Sequence, residues 1–135
     1  FVLVRSVTEP REFAIATTSA LLYAASSLLM LAARASHRGR PPDYIFGQDL
    51  PRGLVVWGPY RWVRHPFYLA YTLAWIAGVA MSGGHGIVAV GAAAMVAVLS
   101  SAAAREEAQF LASPFAEAYR GYQRVTGRLL PVWWR

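Results

Sequence analysis

From Pro66 to Ala104 the chain carries no formal charge, and that run is too long for a single membrane crossing. Ser82-Gly83-Gly84-His85-Gly86 is a turn signal in its middle. The run is therefore expected to fold back on itself as two spans, about 67–82 and 86–104. Each half is roughly 24–29 Å long as a helix, close to the thickness of a hydrocarbon core. Residues 13–33 are a further uncharged stretch and read as another span. A buried helix of a soluble protein is the alternative there, but the plentiful alanine and serine suit close helix packing in lipid.

The expected fold class is all-α. It is an integral membrane helical bundle with a transmembrane helical hairpin and a C-terminal interfacial amphipathic helix, forming one domain over residues 1–135. Phe1-Val2-Leu3-Val4 reads as the end of an earlier span, so further N-terminal spans are expected. Residues 39–53 are a Pro/Gly-rich connector. After the last span the helix is expected to run on to about Leu111. Ser113-Pro114 then reads as a cap followed by a helix-opening proline. Leu111, Phe115, Tyr119 and Tyr122 recur at helical spacing, which suits a helix lying on the membrane interface. Trp133 and Trp134 suit an interfacial anchor.

Charge gives the orientation. Residues 34–65 hold six arginines against Asp43 and Asp49, and residues 105–135 hold five against Glu106, Glu107 and Glu117. The 82–86 turn has no formal charge. The positive-inside rule places the 34–65 loop and the 105–135 tail in the cytoplasm, with the hairpin turn outside. Every basic residue is an arginine, which points to a high-GC coding sequence and a bacterial inner membrane. The arginines flank apolar runs, so the net charge of +6 reflects membrane topology and no nucleic-acid partner is expected. The chain has no cysteine, which excludes disulfides and thiol nucleophiles. His37, His65 and His85 show no metal-ligand spacing, and no metal is expected.

Chemistry is concentrated at the cytoplasmic end of the hairpin. In Gly58-Pro59-Tyr60-Arg61-Trp62-Val63-Arg64-His65-Pro66-Phe67-Tyr68, Pro66 is placed to open a helix. A helix N-terminus attracts anions, and Arg61, Arg64 and His65 add to that field. Taken alone, Arg61 and Trp62 read as membrane anchors. Tyr60, His65 and Tyr68 together are more specific than an anchor requires. Glu106 and Glu107 stand where the chain leaves the membrane again, so a hairpin brings them to the depth of His65. A carboxylate there could take an ammonium or ribose hydroxyls.

Leu54-Val55, Gly58-Pro59-Tyr60, Arg64-His65-Pro66-Phe67-Tyr68, Glu106-Glu107, Phe115 with Tyr119, and Leu130-Pro131 together resemble the C-terminal half of the isoprenylcysteine carboxyl methyltransferases. The related phospholipid N-methyltransferases share much of the pattern. The resemblance runs over about residues 20–131. It implies an integral membrane enzyme using S-adenosylmethionine. It also implies a cofactor pocket lined by Leu54, Val55, Tyr60, His65, Pro66, Phe67 and Tyr68 and closed by Glu106, with Glu107 beside it. Two positions depart from the family pattern. Ala70 replaces a glycine, and Ala102 replaces the substrate-facing arginine of the prenylcysteine branch. Arg105 is the nearest arginine and becomes the candidate substrate contact.

The expected reaction is methyl transfer to a lipophilic or lipid-anchored acceptor, a carboxylate, amine or thiol, at the cytosolic interface. Membrane lipids and that acceptor are the expected partners. A carboxylate needs no general base, whereas an amine does, and only His65 or a glutamate suggests itself. No catalytic residue is singled out. An NADPH-dependent membrane reductase of the sterol reductase type is one alternative. A non-catalytic membrane adaptor binding anionic lipid is another, but it gives no reason for Tyr60, His65 and Glu106 to occur together.

Overall fold

A computed structural model describes residues 10–37 and 53–132. The expectations that fall on 1–9, most of the 39–53 connector, and Trp133 and Trp134 lie outside the described residues. Helices α1 (Pro10–Ala35), α2 (Pro66–Met81), α3 (Gly86–Leu111) and α4 (Ala116–Val125) follow one another, and a 3-10 turn at Gly58–Arg61 precedes α2. No strand occurs among the described residues, beyond one isolated bridge between Val63 and Gly127.

Helices α1 and α3 are long and apolar enough to cross a membrane, and α2 is a shorter apolar helix. A core helix of a soluble protein would be mostly buried. Here only 11% of the apolar window of α1 and 17% of that of α3 is buried. Leu21, Leu28, Leu31, Ile87 and Val90 all face outward. Apolar side chains turned outward along two such helices are what a lipid surround stabilises.

Packing inside the bundle rests on small residues. The buried positions of α1 are Ser19, Ser26 and Ala33, seven residues apart in each step. Ala70 and Ala77 of α2 are fully buried. A seven-residue repeat of small side chains lets two helix backbones approach closely. The Ser26 hydroxyl donates to the Ala70 carbonyl at 2.7 Å across this seam. Farther along, a Cβ on Gly78 would come 3.3 Å from the Tyr23 hydroxyl. Ala70 therefore sits in the α1–α2 contact, and its methyl is accommodated there.

Gly83 and Gly84 carry positive φ angles of 68° and 78° and turn the chain from α2 into α3. The Trp75 ring then packs 3.5 Å from the Cβ position of Gly91. The hairpin returns α3 to the start of α2, where Tyr68, Leu99, Ala102 and Ala103 form a buried apolar cluster. Phe67, Met95 and Leu129 cover it.

Helix α4 begins two residues later than the proline at 114 suggests. The Ser113 hydroxyl donates to the Phe110 carbonyl at 2.7 Å and accepts the Phe115 amide at 3.1 Å. Those bonds close a turn over 113–115, and the helix starts at Ala116. Its aromatic face is buried against protein. Tyr119 stacks on Phe110 of α3 with centroids 4.6 Å apart, and Tyr122 is buried beside it.

Candidate functional site

Residues of the motif, the acid pair and the tail meet at one end of the bundle. The turn into the motif depends on Gly58, whose φ is 60°. A side chain there would also collide with the Ser36 hydroxyl at the end of α1. The Trp57 indole donates to the Ser36 carbonyl at 2.6 Å, which fixes the motif to that helix end. Pro66 opens α2, as its missing N–H and fixed φ favour.

His65 caps α2 and is buried, its ring stacked on Tyr68 with centroids 5.3 Å apart. Its Nδ1 lies 3.3 Å from Glu106 Oε2, and its Nε2 lies 3.3 Å from Glu107 Oε1. The Tyr68 hydroxyl donates to the other Glu106 oxygen. The motif and the acid pair, far apart in sequence, are thus in direct contact. Burial alone would lower the His65 pKa, but the hydrogen bonds and charges of Glu106 and Glu107 outweigh it and raise the value. A raised folded-state pKa contributes stability that is complete below the unfolded value of about 6.5 and is lost as pH rises through the folded value. Thermal stability in detergent is therefore expected to fall as the pH is raised from neutral. The fall should be blunted in His65→Gln, and equal slopes in the two proteins would show that His65 does not titrate this way.

The two glutamates divide into different roles. Adjacent helix residues point about 100° apart, so beyond the His65 ring that they share they meet different neighbours. The Glu107 side chain is 6% exposed and is held by Arg64 Nε at 2.9 Å and Arg128 Nη2 at 2.7 Å. Gln123 adds a longer bond at 3.4 Å. Arg64 also donates to the Thr126 and Gln123 carbonyls. Backbone bonds reinforce this knot. Arg64 N–H donates to the Gly127 carbonyl at 2.8 Å, and His65 N–H to the Arg128 carbonyl at 3.1 Å. Glu106, by contrast, keeps its side chain 32% exposed while bonded to Tyr68 and His65.

Leu54, Val55 and Phe67 are half-buried, and Pro66 and Tyr68 are buried. Tyr60 is half-buried and hydrogen-bonded to His37 Nε2 at 2.9 Å. Arg105 is exposed, as are Arg61 and Trp62. His37, Gly127 and Arg128 were not singled out by the sequence reading. Only Leu130-Pro131, close behind Arg128, marked that stretch at all.

Residues 49–113 match the family model of the isoprenylcysteine carboxyl methyltransferase (ICMT) family. The match covers just under half of the chain. The matched segment contains every motif residue from Leu54 to Tyr68 together with Glu106 and Glu107, and it stops short of Arg128. The methanethiol S-methyltransferase of Mycobacterium tuberculosis is 40% identical over 72 residues, which is 53% of this chain and 28% of that protein. The chain thus spans just over a quarter of the length of that relative. No solved structure shows a significant match.

The matched segment offers one partly exposed carboxylate and several aromatic rings beside it. A partly exposed carboxylate at Glu106 suits an ammonium or ribose hydroxyls. Aromatic faces at Tyr60 and Phe67 suit a sulfonium cation. No group of three or more metal-binding side chains occurs among the described residues.

Proposed function

We propose that this chain is part of a membrane methyltransferase that transfers a methyl group from S-adenosylmethionine to a small lipophilic thiol. The observation that carries the reading is the direct contact of His65 with Glu106 and Glu107 within the segment that matches the ICMT family model. S-adenosylmethionine supplies an already activated sulfonium methyl. The protein's part is to hold, align and exclude water. Glu106 holds the cofactor's polar groups, while Leu54, Val55, Tyr60, Pro66, Phe67 and Tyr68 wall the pocket. Glu107 is assigned a different task, which is to fix Arg64, His65 and the tail behind that wall.

Two observations favour a small, uncharged acceptor. Ala102, where the prenylcysteine branch has an arginine, is 1% exposed in the apolar cluster with Tyr68 and Leu99. A substrate carboxylate would find no cation there, and a bare carboxylate in such surroundings is costly. The relative is named for methanethiol, a small thiol. Arg105 remains as an exposed cation next to Glu106, available to a polar acceptor.

The test is calorimetric titration of the detergent-purified protein with S-adenosylmethionine, followed by methyl transfer to methanethiol and to a farnesyl-cysteine analogue. Glu106→Ala is expected to weaken cofactor binding by roughly ten- to a hundredfold, the worth of one charge-assisted hydrogen bond. Unchanged affinity would remove Glu106 from the pocket. Rapid methylation of the farnesyl compound with none of the thiol would overturn the acceptor assignment.

The arginine bias supports a site on the cytoplasmic side of the membrane. Single cysteines at Gly84 and Arg120 are expected to react with an impermeant thiol reagent from opposite sides of intact cells. Labelling from the same side would contradict the hairpin orientation.

A further inference from the structure

A thiol acceptor has to lose its proton, because an alkyl thiol with a pKa near that of cysteine, about 8.5, is mostly protonated at neutral pH. The prominent ionisable groups of the site are committed elsewhere. His65 has a carboxylate against each ring nitrogen, contacts that favour its protonated form and occupy both nitrogens. Glu107 is engaged by Arg64 and Arg128, and Glu106 by Tyr68 and His65.

A different pair is built for the task. His37 lies two residues beyond the end of α1, with Nε2 2.9 Å from the Tyr60 hydroxyl. Its ring lies against Phe67, with centroids 5.9 Å apart at a tilt of 34°. Tyr60 is fixed from behind, because the Tyr122 hydroxyl donates to its carbonyl at 2.6 Å. Burial, with Tyr122 and Glu106 nearby, keeps the Tyr60 phenol protonated. The Tyr60 phenol has a proton to donate, and an unprotonated Nε2 on His37 is the acceptor that the relay uses.

The geometry points to Tyr60 and His37 as a two-residue proton relay that activates a neutral thiol, an inference that rests on the thiol reading above. The thiol sulfur forms its bond to the methyl carbon of the sulfonium donor. The donor's S–C bond breaks, and its electron pair stays on the donor sulfur. The S–H proton of the acceptor passes to the Tyr60 oxygen, and the Tyr60 proton passes to His37 Nε2. The imidazolium then releases one proton and returns to its neutral form, while Tyr60 keeps the proton that it took from the thiol. No oxidant or reductant is required. Tyr60 touches the acceptor, and His37 acts through Tyr60.

The experiment uses the full chain in membranes and the variant His37→Gln, whose amide can still bond Tyr60 but cannot take up a proton. Turnover of an alkyl thiol is expected to fall about a hundredfold with little change in KM, while an aromatic thiol already ionised at neutral pH loses less than roughly threefold. Added imidazole should restore part of the alkyl thiol activity. Calorimetric affinity for S-adenosylhomocysteine should stay the same within error, since His37 serves the acceptor and not the cofactor. Equal losses with both thiols, or clearly weaker binding of S-adenosylhomocysteine, would make His37 a structural support and overturn the relay. If the unaltered protein binds the cofactor but methylates neither thiol, the thiol reading falls and the relay with it.

Discussion

Glu107→Ala is expected to destabilise the protein by about 3–5 kcal/mol, the cost of breaking a buried ion pair from one side. The side chain is 6% exposed, and its removal leaves Arg64, itself 11% exposed, without a counter-charge. His65 would lose one of its two carboxylates at the same time. Only Arg128, 47% exposed, can turn to solvent. A loss of this size is a large part of the 5–15 kcal/mol that folded domains have available. Arg128→Ala should cost far less, because an exposed partner contributes about 0–1 kcal/mol. Thermal denaturation in detergent separates the cases. A Glu107→Ala protein that melts together with Arg128→Ala would show that the knot contributes little. The contrast with Glu106 matters equally, since Glu106→Ala is expected to affect cofactor affinity much more than stability.

The elements that were legible in the sequence are those fixed by local signals. Uncharged runs gave α1, α2 and α3, and Ser82-Gly83-Gly84 gave the turn between α2 and α3. Once a hairpin is granted, chain length alone returns Glu106 and Glu107 to the level of His65. The division of labour between those two carboxylates could not be read, because it depends on what packs against α3. That neighbour is α4 with the segment behind it, which reaches Arg64 across some sixty residues of sequence. His37 was hidden for the same reason. Its partner Tyr60 lies 23 residues away, and a lone histidine after a span carries no local mark. The start of α4 was misplaced by two residues because the Ser113 hydroxyl closes a turn over Phe110 and Phe115 before the helix begins.

Among the described glycines, Gly127→Ala should be the most damaging substitution. The difficulty is space, since Gly127 is not among the glycines with positive φ. An added Cβ would fall well inside contact distance of the Leu130 carbonyl oxygen. Backbone cannot swing aside as a flexible side chain can, so the turn over 127–130 must open. That movement pulls Arg128 from Glu107 and Leu129 from the apolar cluster. It also breaks the bonds from the Arg64 and His65 amides to the tail, and the bond from Gly127 N–H to the Trp62 carbonyl. The expected cost lies at or above the roughly 3 kcal/mol upper end for overpacking. Gly121→Ala is the matched control. Gly121 is exposed within α4 with open space at its Cβ, so alanine there should stabilise by about 0.5–1 kcal/mol. Limited trypsin digestion reads both effects through cleavage after Arg124 and Arg128. Gly127→Ala should be cut rapidly at these arginines, and Gly121→Ala no faster than the unaltered protein. A Gly127→Ala protein as resistant as the unaltered one would mean that the tail is not clamped to the motif.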